Sequence, residues 1–312
     1  DTILEGFKDV FVTKLATDSD EPPEPTPTPI PAHDCTPTGL GTIAVGNTPR
    51  GLALDVAKQR VYVANYGSNS VSVIDSSSNT VLQTISGITT ANGIVHDWTN
   101  NIIWVTNYSS DQVTPIQADA GASNFTVLSS ISVGDGPWGV AYDQAHNYVY
   151  VVNNLGNSVT VINAGTRNVV TTLGGFSQPY HVAANPVTGK VYVTNFGNHT
   201  VTVLNGTAVS SVVNLNVGDP STQPYGIAVD EIREVIYVAT VDSHRVVAIG
   251  VKEIDGTPVP DQLLGWAEFH RGYFSPPPDQ IPVPMRAIAI NPDMPPFAPG
   301  MDDGGHVWTT TS

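Results

Sequence analysis

Eight histidines, one cysteine and one adjacent pair of aspartates are the residues of this 312-residue chain whose types invite chemistry. A zinc site, or a metal-dependent lyase site, needs three or four ligands converging on one point. The histidines are not spaced for that: His181 begins one apolar run, His96 ends another, and His199 and His244 fall in outer turns. No metal is therefore expected from them. Asp302 and Asp303, adjacent in a Gly-rich stretch, leave Ca²⁺ as the one candidate ion, against the plainer reading of a solvated turn. The lone Cys35 excludes an internal disulfide, a Cys-x-x-Cys redox or metal site and a Cys-x-x-Cys-His haem attachment. No Gly-x-Ser-x-Gly nucleophile elbow is present. Four Asn-x-Ser/Thr sequons, at Asn107, Asn124, Asn198 and Asn205, are glycosylation candidates in a chain so rich in Ser and Thr that chance matches are expected.

Charge narrows the partners. Lys and Arg number 12 against 28 Asp and Glu, a net charge of −16, and charged residues make up 13% of the chain; an average soluble protein carries about 25%. Nucleic-acid phosphates and anionic membrane surfaces are thereby disfavoured, and no apolar run approaches the ~20 residues of a membrane span. The opening Asp1 to Glu5 has no basic segment followed by an apolar one, so the chain reads as mature or excerpted.

The elements that must position any site follow from a repeat. Leu52 to Asp55, Ile94 to Asp97, Val140 to Asp143, Val182 to Asn185, Ile227 to Asp230 and Ile288 to Asn291 recur at spacings of 42, 46, 42, 45 and 61. Within a copy, Asp55, Asn65 and Asp75 end three short apolar runs ten residues apart, as do Asp143, Asn153 and Asn163. Runs such as Val149-Tyr150-Val151-Val152 are apolar at consecutive positions, so they predict strands covered on both faces. A fourth run, as in Val81 to Ile85, completes a four-stranded antiparallel unit of propeller-blade size. Gly/Asn-rich stretches such as Asn65 to Asn69 and Asn195 to His199 read as the turns between second and third strands, with positive-φ and Asx-forming residues. The expected architecture is all-β: a six-bladed β-propeller over residues 38–312.

Tyr192-Val193-Thr194-Asn195 and the residues after it, through Val203, resemble the prokaryotic YVTN β-propeller repeat. Tyr62-Val63-Ala64-Asn65 and Tyr150-Val151-Val152-Asn153 are similar to it, whereas the copy from Tyr225 drifts toward the NHL repeat. The resemblance covers about residues 38–250. It implies the propeller fold and leaves function open among cell-surface proteins, surface-layer proteins and propellers attached to redox enzymes.

The sixth copy is incomplete: after Arg286 to Asn291 and Val307 to Thr311 the chain stops two strands short. The N-terminus supplies candidates for them. Asp9-Val10-Phe11-Val12-Thr13-Lys14-Leu15 has a third-strand pattern and Gly39 to Val45 a fourth-strand pattern, and closing the ring with them would remove exposed sheet edges. Residues 1–15 then form a strand arm and 16–37 a Pro/Thr-rich linker. Fully extended, that linker spans on the order of 70 Å at ~3.1 Å per residue. The arm can thus complete its own last blade in cis, or a neighbour's in trans by donor-strand complementation, giving a homo-oligomer or filament in which Cys35 could cross-link subunits.

Propeller topology places Arg50, Asn92, Trp138, Tyr180, His181, Tyr225, Met285 and Arg286 around one channel mouth, with Tyr66, Tyr108 and Phe196 further out. Aromatic rings with arginine suit recognition of a protein or glycan surface, although blade packing would use the same residues. With no catalytic constellation legible, the expected function is a secreted, non-catalytic structural or adhesive module at a prokaryotic cell surface, without cofactor. The alternatives are an enzyme at the channel mouth, lactonase- or lyase-like, and a periplasmic ligand-binding sensor.

Overall fold

The structure, a computed structural model, describes residues 42–118, 124–216, 222–231, 234–241 and 245–250, together with the strands spanning 262–268, 285–290 and 307–311. The first blade comprises β1 (Pro49–Asp55), β2 (Arg60–Asn65), β3 (Ser70–Asp75) and β4 (Thr80–Ser86). The second holds β5 (Ala91–Asp97), β6 (Ile102–Asn107) and β7 (Gln112–Ala118), with its outer strand split into β8 (Phe125–Val127) and β9 (Ile131–Ser132), both paired to β7. The third is β10 (Pro137–Asp143), β11 (Tyr148–Asn153), β12 (Ser158–Asn163) and β13 (Val169–Gly174), and the fourth is β14 (Pro179–Ala184), β15 (Lys190–Asn195), β16 (Thr200–Asn205) and β17 (Ala208–Asn214). The fifth is β18 (Pro224–Asp230), β19 (Val235–Thr240), β20 (Arg245–Gly250) and β21 (Gln262–Glu268), followed by the antiparallel pair β22 (Met285–Ile290) and β23 (Val307–Thr311).

Each sheet is an antiparallel meander, and the inner strands β1, β5, β10, β14, β18 and β22 stand side by side in chain order. The consecutive apolar runs do what their composition demands. In β11, Val149 to Asn153 are buried without interruption, because the second blade covers one face and the fourth covers the other. Blades one and two close around Tyr62, Val71, Val73, Ile103 and Ile116, and blades four and five around Tyr192, Val203, Ile236 and Ile249. The outer strands β4, β13 and β17 face solvent over most of their length.

Two repeated devices fix this stack. The asparagine ending the second strand of each of the first four blades is a strand pin, where the sequence suggested a turn former. Buried Asn65, Asn153 and Asn195 donate through Nδ2 to pairs of hydroxyls on the next strand: Ser70 and Ser72, Ser158 and Thr160, Thr200 and Thr202. The left-handed turn residues come four positions later, at Asn69 (φ 53°), Asp111 (φ 53°), Asn157 (φ 47°) and His199 (φ 59°). Asn69, Asp111 and Asn157 also accept a hydrogen bond from a backbone N–H at the approach to the following blade.

The second device is glycine at the third position of the inner strands. A Cβ on Gly51, Gly93 or Gly139 would come closer than 3.0 Å to the backbone oxygen of Asn92, Trp138 or Tyr180 on the next inner strand. At these three junctions glycine is what lets adjacent inner strands approach so closely.

Thr42 to Val45, expected as the strand leading into the first copy, show no strand pairing among the described residues. Their expected partner Asp9 to Leu15 lies outside the described residues, as do Cys35, Asp302 and Asp303 and the linker 16–37. Asn107 is corrected as a glycosylation candidate: it is 4% exposed and its Oδ1 accepts from Thr114, so no enzyme reaches it in the folded chain. Asn124, Asn198 and Asn205 are exposed. Among the described residues no helix is long and apolar enough to cross a membrane.

Candidate functional site at the channel mouth

Every inner strand described in full begins with a β-bulge. The register shifts between Pro49 and Leu52, Ala91 and Ile94, Pro137 and Val140, Pro179 and Val182, and Pro224 and Ile227. The bulge re-aims the second residue of each strand. Arg50, Asn92, Trp138, Tyr180 and Tyr225 occupy that position, so one geometric feature repeated five times assembles the face expected from sequence. Arg286 holds the corresponding place in β22, where only the backbone is described.

These side chains form a continuous arc of rings. Tyr66 meets Tyr108 at 6.5 Å between centroids, and Tyr108 meets Trp138 edge-on at 5.3 Å. Trp138 meets Tyr180 edge-on at 5.3 Å, and Tyr180 meets Phe196 at 5.4 Å and Tyr225 at 4.6 Å. Edge-to-face pairs of this kind each add about 0.5–1.5 kcal/mol beyond area burial. The rings are half-buried, so the arc both ties blades together and shows a surface.

Arg50 stands exposed at one end of the arc, with its guanidinium carbon 3.8 Å from the Tyr66 centroid and 5.2 Å from that of Trp138. Its Nη1 donates to Oδ1 of Asn92 at 3.1 Å, and Asn92 donates onward to the Trp138 carbonyl at 3.4 Å. Asn92 is itself buried. It is therefore a brace for Arg50, where the sequence suggested a surface contact. The stacked, braced guanidinium retains donors free for an incoming acceptor.

His181 closes the other end and occupies an unusual slot. It stands in the fourth blade where the first, second, third and fifth carry Gly51, Gly93, Gly139 and Gly226. Its backbone N–H donates to Oγ1 of Thr194, whose hydroxyl also bonds the Tyr225 carbonyl at 3.0 Å, and its ring lies 5.0 Å from that of Tyr225. The residue is half-buried, and its imidazole nitrogens make no hydrogen bond among the described residues. Burial pushes its pKa down to about 4. At neutral pH it is an uncharged imidazole with an unengaged nitrogen.

Among the described residues no group of three or more His, Cys, Asp or Glu could hold a metal ion. His96, set aside in the sequence as lying far from the mouth, proves to belong to a buried cluster with Asp55, Arg60 and Tyr62. The signal that could have found it is positional: histidine stands where the other blades carry Leu54, Tyr142, Ala184 and Val229.

The fold is shared with proteins of several kinds. Hydrazine synthase of Kuenenia stuttgartiensis is similar at 19% identity with a TM-score of 0.68, covering 87% of this chain and 86% of that one. A streptogramin B lyase aligns at 12% identity with a TM-score of 0.61, covering 78% of this chain and 73% of that one. A catalytically inactive virginiamycin B lyase from Staphylococcus aureus with quinupristin aligns at 10% identity with a TM-score of 0.60, covering 77% and 73%. At these identities the likeness is one of fold. No match is found among curated proteins.

The sequence family is more decisive: a model described as "Lactonase, 7-bladed beta-propeller" matches residues 32–262. The propeller expectation holds, while the specific resemblance to the YVTN repeat gives way to this family. The expectation of a non-catalytic structural or adhesive module is overturned by the same match, which points to an enzyme-like propeller. The alternative left open by the sequence, a lactonase- or lyase-like enzyme, is the reading that the match favours. By this match over most of its length, the chain belongs to the lactonase family of seven-bladed β-propellers.

Proposed function

We propose that the channel mouth is an active site that opens a cyclic ester by hydrolysis. The observation that carries this reading is the unengaged, neutral imidazole of His181 in a slot where the first, second, third and fifth blades carry glycine. In such a reaction water attacks the ring carbonyl, its proton passes to the imidazole, the ring C–O bond breaks, and the proton returns to the leaving alkoxide. A base with a pKa of about 4 is weaker than one tuned to neutrality, but it is wholly unprotonated at pH 7. A cyclic ester also asks less of its base than an amide does. The arc from Tyr66 to Tyr225 supplies apolar walls, and Arg50, held by Asn92 and stacked on Tyr66 at the far end of the arc from His181, supplies fixed positive charge for a substrate carboxylate.

The test is acid release from a panel of five- and six-membered lactones, followed at constant pH with the full chain. Saturable turnover that disappears in His181→Gly supports the reading. Absence of turnover across the panel, or turnover unchanged in that variant, overturns it.

We infer further that another blade seats against the first and closes the ring. Leu52 is 59% and Leu54 55% exposed, whereas their counterparts Ile94 and Val140, His96 and Tyr142 are buried against the preceding blade. The N-terminal arm Asp9 to Leu15 is the segment proposed to supply strands there, whether six or seven blades result and whether closure is in cis or from a neighbouring subunit. Deleting residues 1–37 is expected to lower the urea midpoint, with recovery on adding the arm as a peptide; an unchanged midpoint would contradict this closure.

A further inference from the structure

At the end of the inner strands away from the mouth, four polar side chains converge between the first and second blades. Asp55 is 3%, Arg60 4%, Tyr62 0% and His96 6% exposed. Each carries one buried atom with no hydrogen bond of good geometry: Oδ2 of Asp55, Nη1 of Arg60, the Tyr62 hydroxyl and Nε2 of His96, the Arg60 side chain lying close enough to the Tyr62 hydroxyl to act on it. They belong to one place. Asp55 Oδ2 and His96 Nε2 lie 3.7 Å apart, the Tyr62 and His96 rings 6.0 Å apart, and both Arg60 and Tyr62 rest on Phe125. Asp55 and Arg60 face one another across the β1–β2 pairing.

The equivalent positions at the next two junctions are satisfied by the chain itself. Asp97 Oδ2 accepts from Asn100 and Trp104, and Tyr142 donates to Asn147. Asp143 Oδ2 pairs with His146 Nδ1 at 2.6 Å, and Tyr150 donates to the Gly206 carbonyl. Buried polar groups without partners are rare in folded proteins, and four converging on one point call for a guest that answers all of them.

The chemistry of the four atoms identifies the guest. A carboxylate oxygen can only accept and a guanidinium nitrogen can only donate, while phenol and neutral imidazole can each take either role. Asp55 pairs in charge with Arg60 across the strands, while Lys58, 3.6 Å from Asp55 Oδ2, lies at the half-exposed rim. An anion and a neutral guest remain to be told apart, and the Asp55 carboxylate at the centre favours the neutral one. Water has two donors and two acceptor sites, and a gap of 3.7 Å between two polar atoms is too long for a direct hydrogen bond but is bridged by one molecule bonded to both.

We propose that a single ordered water is held between the first two blades, donating to Asp55 Oδ2 and His96 Nε2 and accepting from Arg60 Nη1 and the Tyr62 hydroxyl. This linchpin does for the first junction what Trp104, His146 and the Gly206 carbonyl do for the others. It also fixes the tautomer of His96, with the proton on Nδ1 and Nε2 left to accept.

A high-resolution crystal structure of the full chain, with a parallel bromide soak and ¹⁵N spectra of the imidazoles, tests the site. The expected result is one peak within hydrogen-bond distance of all four atoms, no anomalous signal from bromide there, and an Nδ1-protonated His96. His96→Leu, which installs the residue the first blade carries at this position, is expected to abolish the peak. A direct Asp55–His96 hydrogen bond with Nε2 protonated, a bromide peak, or an empty site in the unmodified chain would each overturn the proposal.

Discussion

The two ends of the inner strands obey different rules. At the end away from the mouth the terminal residue hardly varies: Asp55, Asp97, Asp143, Asn185 and Asp230. The carboxylate or amide oxygen accepts from the turn backbone that leads into the second strand, at Lys58, Asn100, Ala145 and Val187 in turn. At the mouth end the second residue changes in almost every blade, as Arg50, Asn92, Trp138, Tyr180 and Tyr225, although the bulge that presents it is the same. Repetition thus separates what the backbone requires from what the face is free to choose. The proposed chemistry belongs to the variable end.

That contrast can be broken by substitution. The largest effect is expected from Asp143→Ala, which orphans a turn N–H and strips His146 of its fully buried partner. Hydrogen bonds to a charged group and the penalty for a stranded donor together amount to about 3 kcal/mol, read as a lower urea midpoint. Gly139→Ala sharpens the comparison, because it lies near the mouth yet serves the backbone. A methyl group pressed against the Tyr180 carbonyl is expected to cost about 2 kcal/mol, in the range of overpacking. A mouth residue proper behaves otherwise: Arg50→Ala loses only exposed stacking and one side-chain bond, about 1 kcal/mol or less by the same assay.

Acid titration gives smaller and separable effects. The folded pKa of His181 lies near 4, below its ordinary value of 6.5, so between those values the unfolded chain holds a proton that the folded chain does not. Its contribution to stability is full above about pH 6.5, falls as pH drops toward 4, and is constant below. His181→Gly is expected to flatten that part of the pH–stability curve. The weakest effect is that of exposed Asp75, held down to about 2 chiefly by the Ser77 hydroxyl, with the Ser77 and Ser78 N–H groups assisting. Its contribution is present above about pH 4 and lost as pH falls through about 2, and Asp75→Asn is expected to remove that loss.

Much of this organisation is legible in sequence, because the spacing from Asp55 through Asn65 to Asp75 prescribes strand length and turn position together. The mouth residues follow from the same register once the blade is recognised. What the sequence hides is role. Asn65 and Asn153 sit beside Gly/Asn-rich turns, yet their amides face inward to Ser and Thr on the next strand of the same blade, a contact that only pairing register brings about. Asn92 looks like a surface ligand and is a buried brace. The cluster of Asp55, Arg60, Tyr62 and His96 spans two blades, so no local pattern contains it. His181 is visible as a histidine, but its free imidazole depends on the packing around Tyr225 and Thr194.

The central claim is that the mouth end carries chemistry that the fold does not need. The most direct measurement is lactone turnover and urea stability determined side by side for the unmodified chain and His181→Gly. The account predicts a loss of turnover of about 100-fold or more, within the range for removing a positioned general base, with stability at neutral pH shifted by no more than about 1 kcal/mol. Full turnover in a stable variant, or loss of turnover accompanied by collapse of the fold, would contradict it.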